Sequence, residues 1–158
     1  MKTKLLPATV LALLCLCAPA GATIVPQRGM LGVELGDTVR EVRSKLGAPD
    51  GIRFVQNEII GRQRIYRYGR TTIAFDGDGR RARVINLTTR SRRERLANGV
   101  GVGSTKTEVM RKVDGVKCPV DEMFHCYVGR LLPGRRVTDF RIGSRGRVTH
   151  VSVGRVID

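Results

Sequence analysis

A seven-residue pattern occurs twice in this chain, 67 residues apart: Gly36-Asp37-Thr38-Val39-Arg40-Glu41-Val42 and Gly103-Ser104-Thr105-Lys106-Thr107-Glu108-Val109. The same offset links Gly32 to Gly99, Val33 to Val100, Phe75 to Ile142 and Gly79 to Gly146. Matches this far apart, in one order and at one offset, predict two copies of a small unit. A solenoid would show shorter and more numerous repeats. Beyond Gly79 and Gly146 the offset fits better as 66, which predicts a one-residue bulge or a longer turn in one copy.

Within each copy the local chemistry predicts a helix followed by a meander. Thr38 with Glu41, and Thr105 with Glu108, have the spacing of a capping box, in which hydroxyl and carboxylate each satisfy a free backbone N–H. Val39, Val42 and Leu46 fall on one face of the first helix, and Val109 and Val113 on one face of the second. Gly47 and Pro49 stop the first, and Asp114-Gly115 the second. Such short helices need a sheet to pack on. Strands are predicted at 65–68, 71–75 and 84–88, the last with Ile85 and Leu87 on one face, and again at 124–128, 137–142 and 148–153. Tyr66 and Tyr68 share a face while Arg67 takes the other. The expected fold is α+β, with helices on one face of an antiparallel sheet. Residues 23–88 form the first unit, 89–98 a linker and 99–158 the second.

The first 22 residues read as a secretory signal peptide: Lys2 and Lys4, an apolar run from Leu5 to Cys17, then Ala18-Pro19-Ala20-Gly21-Ala22. Leu14 and Leu16 precede Cys15 and Cys17, which argues against a lipid anchor, since a lipoprotein signal carries a small residue there. No other apolar stretch has the length of a membrane span, so none is expected in the mature chain. Cleavage leaves Cys118 and Cys126, which are expected to pair in an oxidising compartment and to contribute roughly 2.5 kcal/mol by closing a short loop. The neighbouring His125 leaves too few ligands for zinc.

Gly36 to Asp50, in the pattern Gly-x-Thr-x-x-Glu-Val-x-x-x-Leu-Gly-x-Pro-Asp, resembles the opening helix of the BamE/SmpA/OmlA family, and Phe75-Asp76-Gly77-Asp78-Gly79 resembles its hairpin. Two such units in tandem with a small disulfide loop resemble the beta-lactamase inhibitory proteins. The resemblance implies a short helix pair packed on an antiparallel sheet in each copy. It also implies a binding or assembly role rather than an enzymatic one, either in outer-envelope assembly or in inhibition of a secreted enzyme such as a beta-lactamase.

The formal charge is +15 and falls to +13 without Lys2 and Lys4, with arginine dominating the surplus. A basic exported protein meets acidic proteins, lipid headgroups and wall polymers; the plainer account of the surplus is a solvated face. The candidate binding residues are Arg62, Arg64, Arg67, Arg80, Arg90, Arg92 and Arg93, directed at a protein or an anionic envelope component through the sheet face. Export disfavours nucleic acid as the target. No cofactor is expected. The Asp76-x-Asp78-Gly79 opening of a calcium loop lacks its distal Glu and is followed by Arg80, Arg81 and Arg83. His125 and His150, the mature histidines, accompany no nucleophile motif, so no enzyme is expected.

Overall fold

Both capping boxes form. In the computed structural model, which describes residues 23–119 and 124–157, the Thr38 N–H donates to Glu41 Oε2 at 2.7 Å and the Glu41 N–H to Thr38 Oγ1 at 3.3 Å. Thr105 and Glu108 repeat the exchange at 2.7 and 3.1 Å. The backbone N–H at each cap holds the Glu41 and Glu108 carboxyls below the ordinary carboxylate range. They open α1 (Val39–Leu46) and α2 (Lys106–Lys112). Gly47 ends α1 at φ 78°, backbone that a side chain would strain. The expected signal peptide, residues 1–22, lies outside the described residues.

The rest is strand. β1 (Ile24–Val25), β2 (Gly29–Met30) and β3 (Val33–Glu34) make a small three-stranded sheet. Seven further strands follow: β4 (Gly51–Asn57), β5 (Gly61–Tyr68), β6 (Thr71–Phe75), β7 (Val84–Thr89), β8 (His125–Gly129), β9 (Arg136–Ile142) and β10 (Val148–Arg155). They form one antiparallel sheet in the order β4-β5-β6-β7-β10-β9-β8.

This corrects the expected fold class. The chain is mostly β, with two helices of 8 and 7 residues, not an α+β arrangement of two tandem helix pairs each on a sheet. The physical reason is that one short helix covers little apolar surface. Each half lacks the cover for its own sheet, so β7 pairs with β10 and the two meanders share one core. The segment expected as a linker supplies Thr89 to β7 and buried Leu96 to that core. Local correspondences between the halves remain. Arg83 Nη1 donates to the Gly36 carbonyl and Arg147 Nη1 to the Gly103 carbonyl, each at 2.9 Å. A bulge also falls at the start of both β7 and β10. The turns before them differ by three residues, 76–83 against 143–147, so the halves correspond there at an offset of 64 and not the expected 66. The bulge skips Ile85 in the ladder, so Val84 and Leu87 join the core cluster, while Ile85 is buried outside it.

The core lies between the helix-covered face of the large sheet and the small sheet. Ile24, Met30, Val33, Val42, Tyr66, Phe75, Leu87, Val109, Phe140 and Val153 belong to one buried cluster. Tyr66 is buried and stacks edge-on against Phe75 at 5.1 Å, Tyr68 packs beside them, and Arg67 is exposed. Cys118 and Cys126 form the expected disulfide. Gly29 shows how tightly the small sheet is drawn: a Cβ there would sit 2.0 Å from the Val33 carbonyl oxygen, a backbone atom that cannot rotate away. Gly29→Ala is therefore expected to destabilise by about 2–4 kcal/mol, read as a shift in urea midpoint at unchanged slope. A midpoint equal to wild type would mean the β2–β3 turn is loose.

Candidate functional site

The sequence candidates do not converge on one surface. Arg62 and Arg64 lie on the helix-side face of β5 but beyond the core, with their guanidinium groups 4.6 and 5.7 Å from the Phe54 ring centroid. Arg62 also pairs with Asp78 at 3.5 Å. Arg67 lies on the opposite face, 3.9 Å from Asp50. Arg93 is an exposed loop residue whose N–H donates to Ser91 Oγ. Arg80 enters one cleft and Arg90 and Arg92 another, while Arg67 borders a small hollow beside β4.

The larger cleft, about 1080 Å³, lies between α1 and the β6–β7 turn and is lined by Thr38, Val39, Arg40, Arg43, Ser44, Arg80, Arg81 and Arg83. The sequence folds this way for local reasons. Burial of Val39 and Val42 leaves Arg40 and Arg43 exposed on one flank of α1, next to Val39. Asp76 Oδ1 accepts the Arg83 N–H at 2.7 Å and so closes the turn that presents Arg80 and Arg81. The arginine-rich turn is thereby held beside the helix, with Arg83 itself clamped to Gly36. Among the described residues no carboxylate lies within ion-pair distance of Arg40, Arg43, Arg80 or Arg81. Asp76 thus acts in the turn, and Asp78 pairs with Arg62.

The smaller cleft, about 620 Å³, sits at the opposite end of β6. Arg70, Arg90 and Arg92 meet the β9–β10 turn there, with Arg145 and Arg147 on its far wall. Guanidinium groups gathered without carboxylates suit ligands bearing carboxylate, phosphate or sulfate groups, which take their paired N–H donors. Arg40 and Arg43 are residues that sequence reasoning missed. Their spacing of three on the polar face of a helix was visible, but the turn that faces them lies some forty residues further along the chain.

The sheet face opposite the helices carries a different chemistry. One row of register partners crosses all seven strands: Gly51, Arg67, Thr72, Thr88, Ser152, Asp139 and Tyr127. Its centre is small and polar, with the Thr88 and Ser152 hydroxyls 2.8 Å apart. Beside it His125 Nδ1 lies 2.9 Å from Asp139 Oδ1, and His150 Nδ1 lies 3.2 Å from Thr149 Oγ1. Burial pushes Asp139 above the usual carboxylate range. It pushes His150 below the usual imidazole value, with Arg90 reinforcing that shift. Ser152 thus bonds with Thr88 and His150 with Thr149.

The shift of His150 fixes the sign of a pH effect. The folded chain takes up this proton less readily than the unfolded chain. The stability linked to neutral His150 is therefore present above about pH 6.5 and is lost as pH falls through the lowered folded value. Asp139 acts oppositely: its contribution is present below the ordinary carboxyl value and is lost as pH rises through its raised folded value. Replacing His150 by Gln is expected to flatten the loss of stability between pH 7.5 and 5.5, measured by urea unfolding at each pH. Parallel curves for the two proteins would show that His150 titrates alike in both states.

No family model matches the chain, and no curated protein matches it. Among solved structures it is similar to a DUF4309 family protein (YjgB) of Bacillus subtilis, at 17% identity and a TM-score of 0.45 over 86% of this chain and 89% of that one. It is also similar to an extracellular protein containing an SCP domain from Bacillus anthracis, at 10% identity and a TM-score of 0.43 over 77% of this chain. The match spans 44% of that second protein.

Proposed function

We propose that this protein is an exported, non-enzymatic binding module that recognises an anionic partner, a protein or polymer of the cell envelope, in the arginine cleft between α1 and the β6–β7 turn. The observation that carries this is the set of four guanidinium groups, Arg40, Arg43, Arg80 and Arg81, gathered in one concavity without carboxylate partners among the described residues. Arginines present only for solubility would disperse, because clustering like charges raises the energy of the folded state. Export is supported by the signal-peptide pattern and by the Cys118–Cys126 disulfide, a bond favoured in oxidising compartments. Among the described residues no helix is long and apolar enough to cross a membrane.

The test is a pull-down from envelope extract with oxidised protein, eluted stepwise with salt. It compares wild type with a variant carrying Arg40→Ala, Arg43→Ala, Arg80→Ala and Arg81→Ala. One discrete acidic component held to high salt by wild type and lost by the variant is the expected result. Equal retention by both proteins removes the cleft from the mechanism. Broad capture of lipid, polymer and nucleic acid that washes away at moderate salt would leave only general charge attraction, which salt screens.

A further inference from the structure

The two edges of the large sheet are treated differently. β8 is short, five residues, and is closed off: Lys117 and Tyr127 exchange backbone hydrogen bonds at 2.8 Å each, and the Cys118–Cys126 disulfide pins that segment in place. β4 has seven residues, pairs with β5 in unbroken register from Gly51–Arg67 to Asn57–Gly61, and has no strand on its other side among the described residues. Alternate residues of such an edge point backbone N–H and C=O groups outward. Natural edges are blunted by charged side chains, proline, a bulge or covering chain. β4 carries neither proline nor bulge, its one charged side chain is Arg53, and it exposes Ile52 by 51% and Phe54 by 46%.

Beside this edge the sheet face opposite the helices holds a hollow of about 190 Å³, lined by Gly51, Ile52, Arg53, Ile65, Arg67 and Thr72. Gly51 lets the Arg67 guanidinium lie close over it, where a Cβ would meet Arg67 Nε and Nη2 at 3.5 Å. Ile65, Thr72 and Arg53 line the rest of the hollow. Arg53 has no carboxylate within ion-pair distance among the described residues, and Arg67 lies 3.9 Å from the Asp50 carboxylate while its Nη2 donates to the Asp50 carbonyl at 3.3 Å. On the other face of the edge, Arg62 and Arg64 flank Phe54. Strand addition draws affinity from the main chain and specificity from side-chain pockets along the edge.

We propose that β4 is a docking edge for an extended, acidic segment of another protein, which adds as an eighth strand and places an acidic side chain in the hollow between Arg53 and Arg67. Charge selects this occupant over a second copy of the chain. A second copy would bring its own Arg53, Arg62, Arg64 and Arg67 to the same seam, in a protein already at +13 without Lys2 and Lys4. The edge is separate from the arginine cleft of α1, so the two readings stand or fall apart.

The probe is a blocked nine-residue peptide of alternating threonine and glutamate, added to the oxidised protein and followed by amide hydrogen exchange. The expected result is at least tenfold slower exchange at alternate β4 amides. N-methylation of alternate peptide nitrogens should abolish binding on one peptide edge and leave it intact on the other. Arg53→Glu should weaken binding at least tenfold while free-protein exchange of β5 and β6 stays unchanged, which shows that the fold is intact. Arg80→Glu should leave peptide binding at β4 unchanged. Equal binding of a threonine–lysine peptide overturns the proposal, as does binding that protects only the α1 cleft, which would leave the cleft reading standing. Concentration-dependent protection of β4 without peptide overturns it too, since it would assign the edge to a second copy.

Discussion

Phe75→Ala is expected to lower the unfolding free energy by about 3–5 kcal/mol, the usual cost of truncating a buried aromatic ring. Phe75 is fully buried at the end of β6, packs edge-on against Tyr66, and lies in the cluster that joins both halves of the chain. The void would open where α1, the sheet and the β6–β7 turn meet, so little can collapse into it. Ring–ring contact adds about 0.5–1.5 kcal/mol to the area term. Against a total stability of about 5–15 kcal/mol for an ordinary domain, the loss is a large fraction. Urea denaturation checks it, with Leu131→Ala as the control. Leu131 is exposed outside any strand and should shift stability by under about 0.5 kcal/mol. Equal shifts for the two variants would mean that Phe75 is not part of the cooperative core.

Reversing Arg80 and Arg81 together to Glu is expected to weaken binding of an anionic partner on the order of 100-fold, with unfolding stability within about 0.5 kcal/mol of wild type. The stability estimate follows from exposure: both side chains stand on a turn held by backbone bonds to Asp76 and Asp37, not by their own guanidinium groups. The binding estimate follows from about 1 kcal/mol per basic residue facing an anionic surface: loss at two positions, with part of the same again from the repulsion of the new carboxylates, comes to about 3 kcal/mol, or about 100-fold. Titration against heparin at several salt concentrations checks it: the loss should be largest at low salt and shrink as salt rises. The same reversal at Arg93, an exposed loop residue outside both clefts, should have a much smaller effect. Equal effects at both places would show that the protein reads only net charge.

The elements governed by near neighbours were legible in the sequence. Thr38 and Glu41 lie three residues apart, and a helix start needs nothing further. Alternation at Thr71, Ile73 and Phe75 marks a half-buried strand by itself, and the short spacing of Cys118 and Cys126 brings them together in almost any fold. β4 was missed. Gly51-Ile52-Arg53-Phe54-Val55-Gln56-Asn57 has exposed or half-buried residues throughout, so no core face imprints a period of two on it. Its state is set by the ladder to β5, which is a tertiary contact.

The functional surface divides in the same way. Sequence by itself determined that the chain is basic, that its arginines come in runs, and that Arg67 opposes Tyr66 and Tyr68 across a strand. Only the tertiary structure decided that the two meanders close into one sheet, that Arg40 and Arg43 face Arg80 and Arg81, and that the run from Arg62 to Arg67 splits between two faces. The physical reason is range. Capping bonds, strand alternation and short disulfide loops are satisfied within about ten residues. The pairing of β7 with β10 is settled by burying apolar surface from both halves at once, and that energy belongs to no single segment.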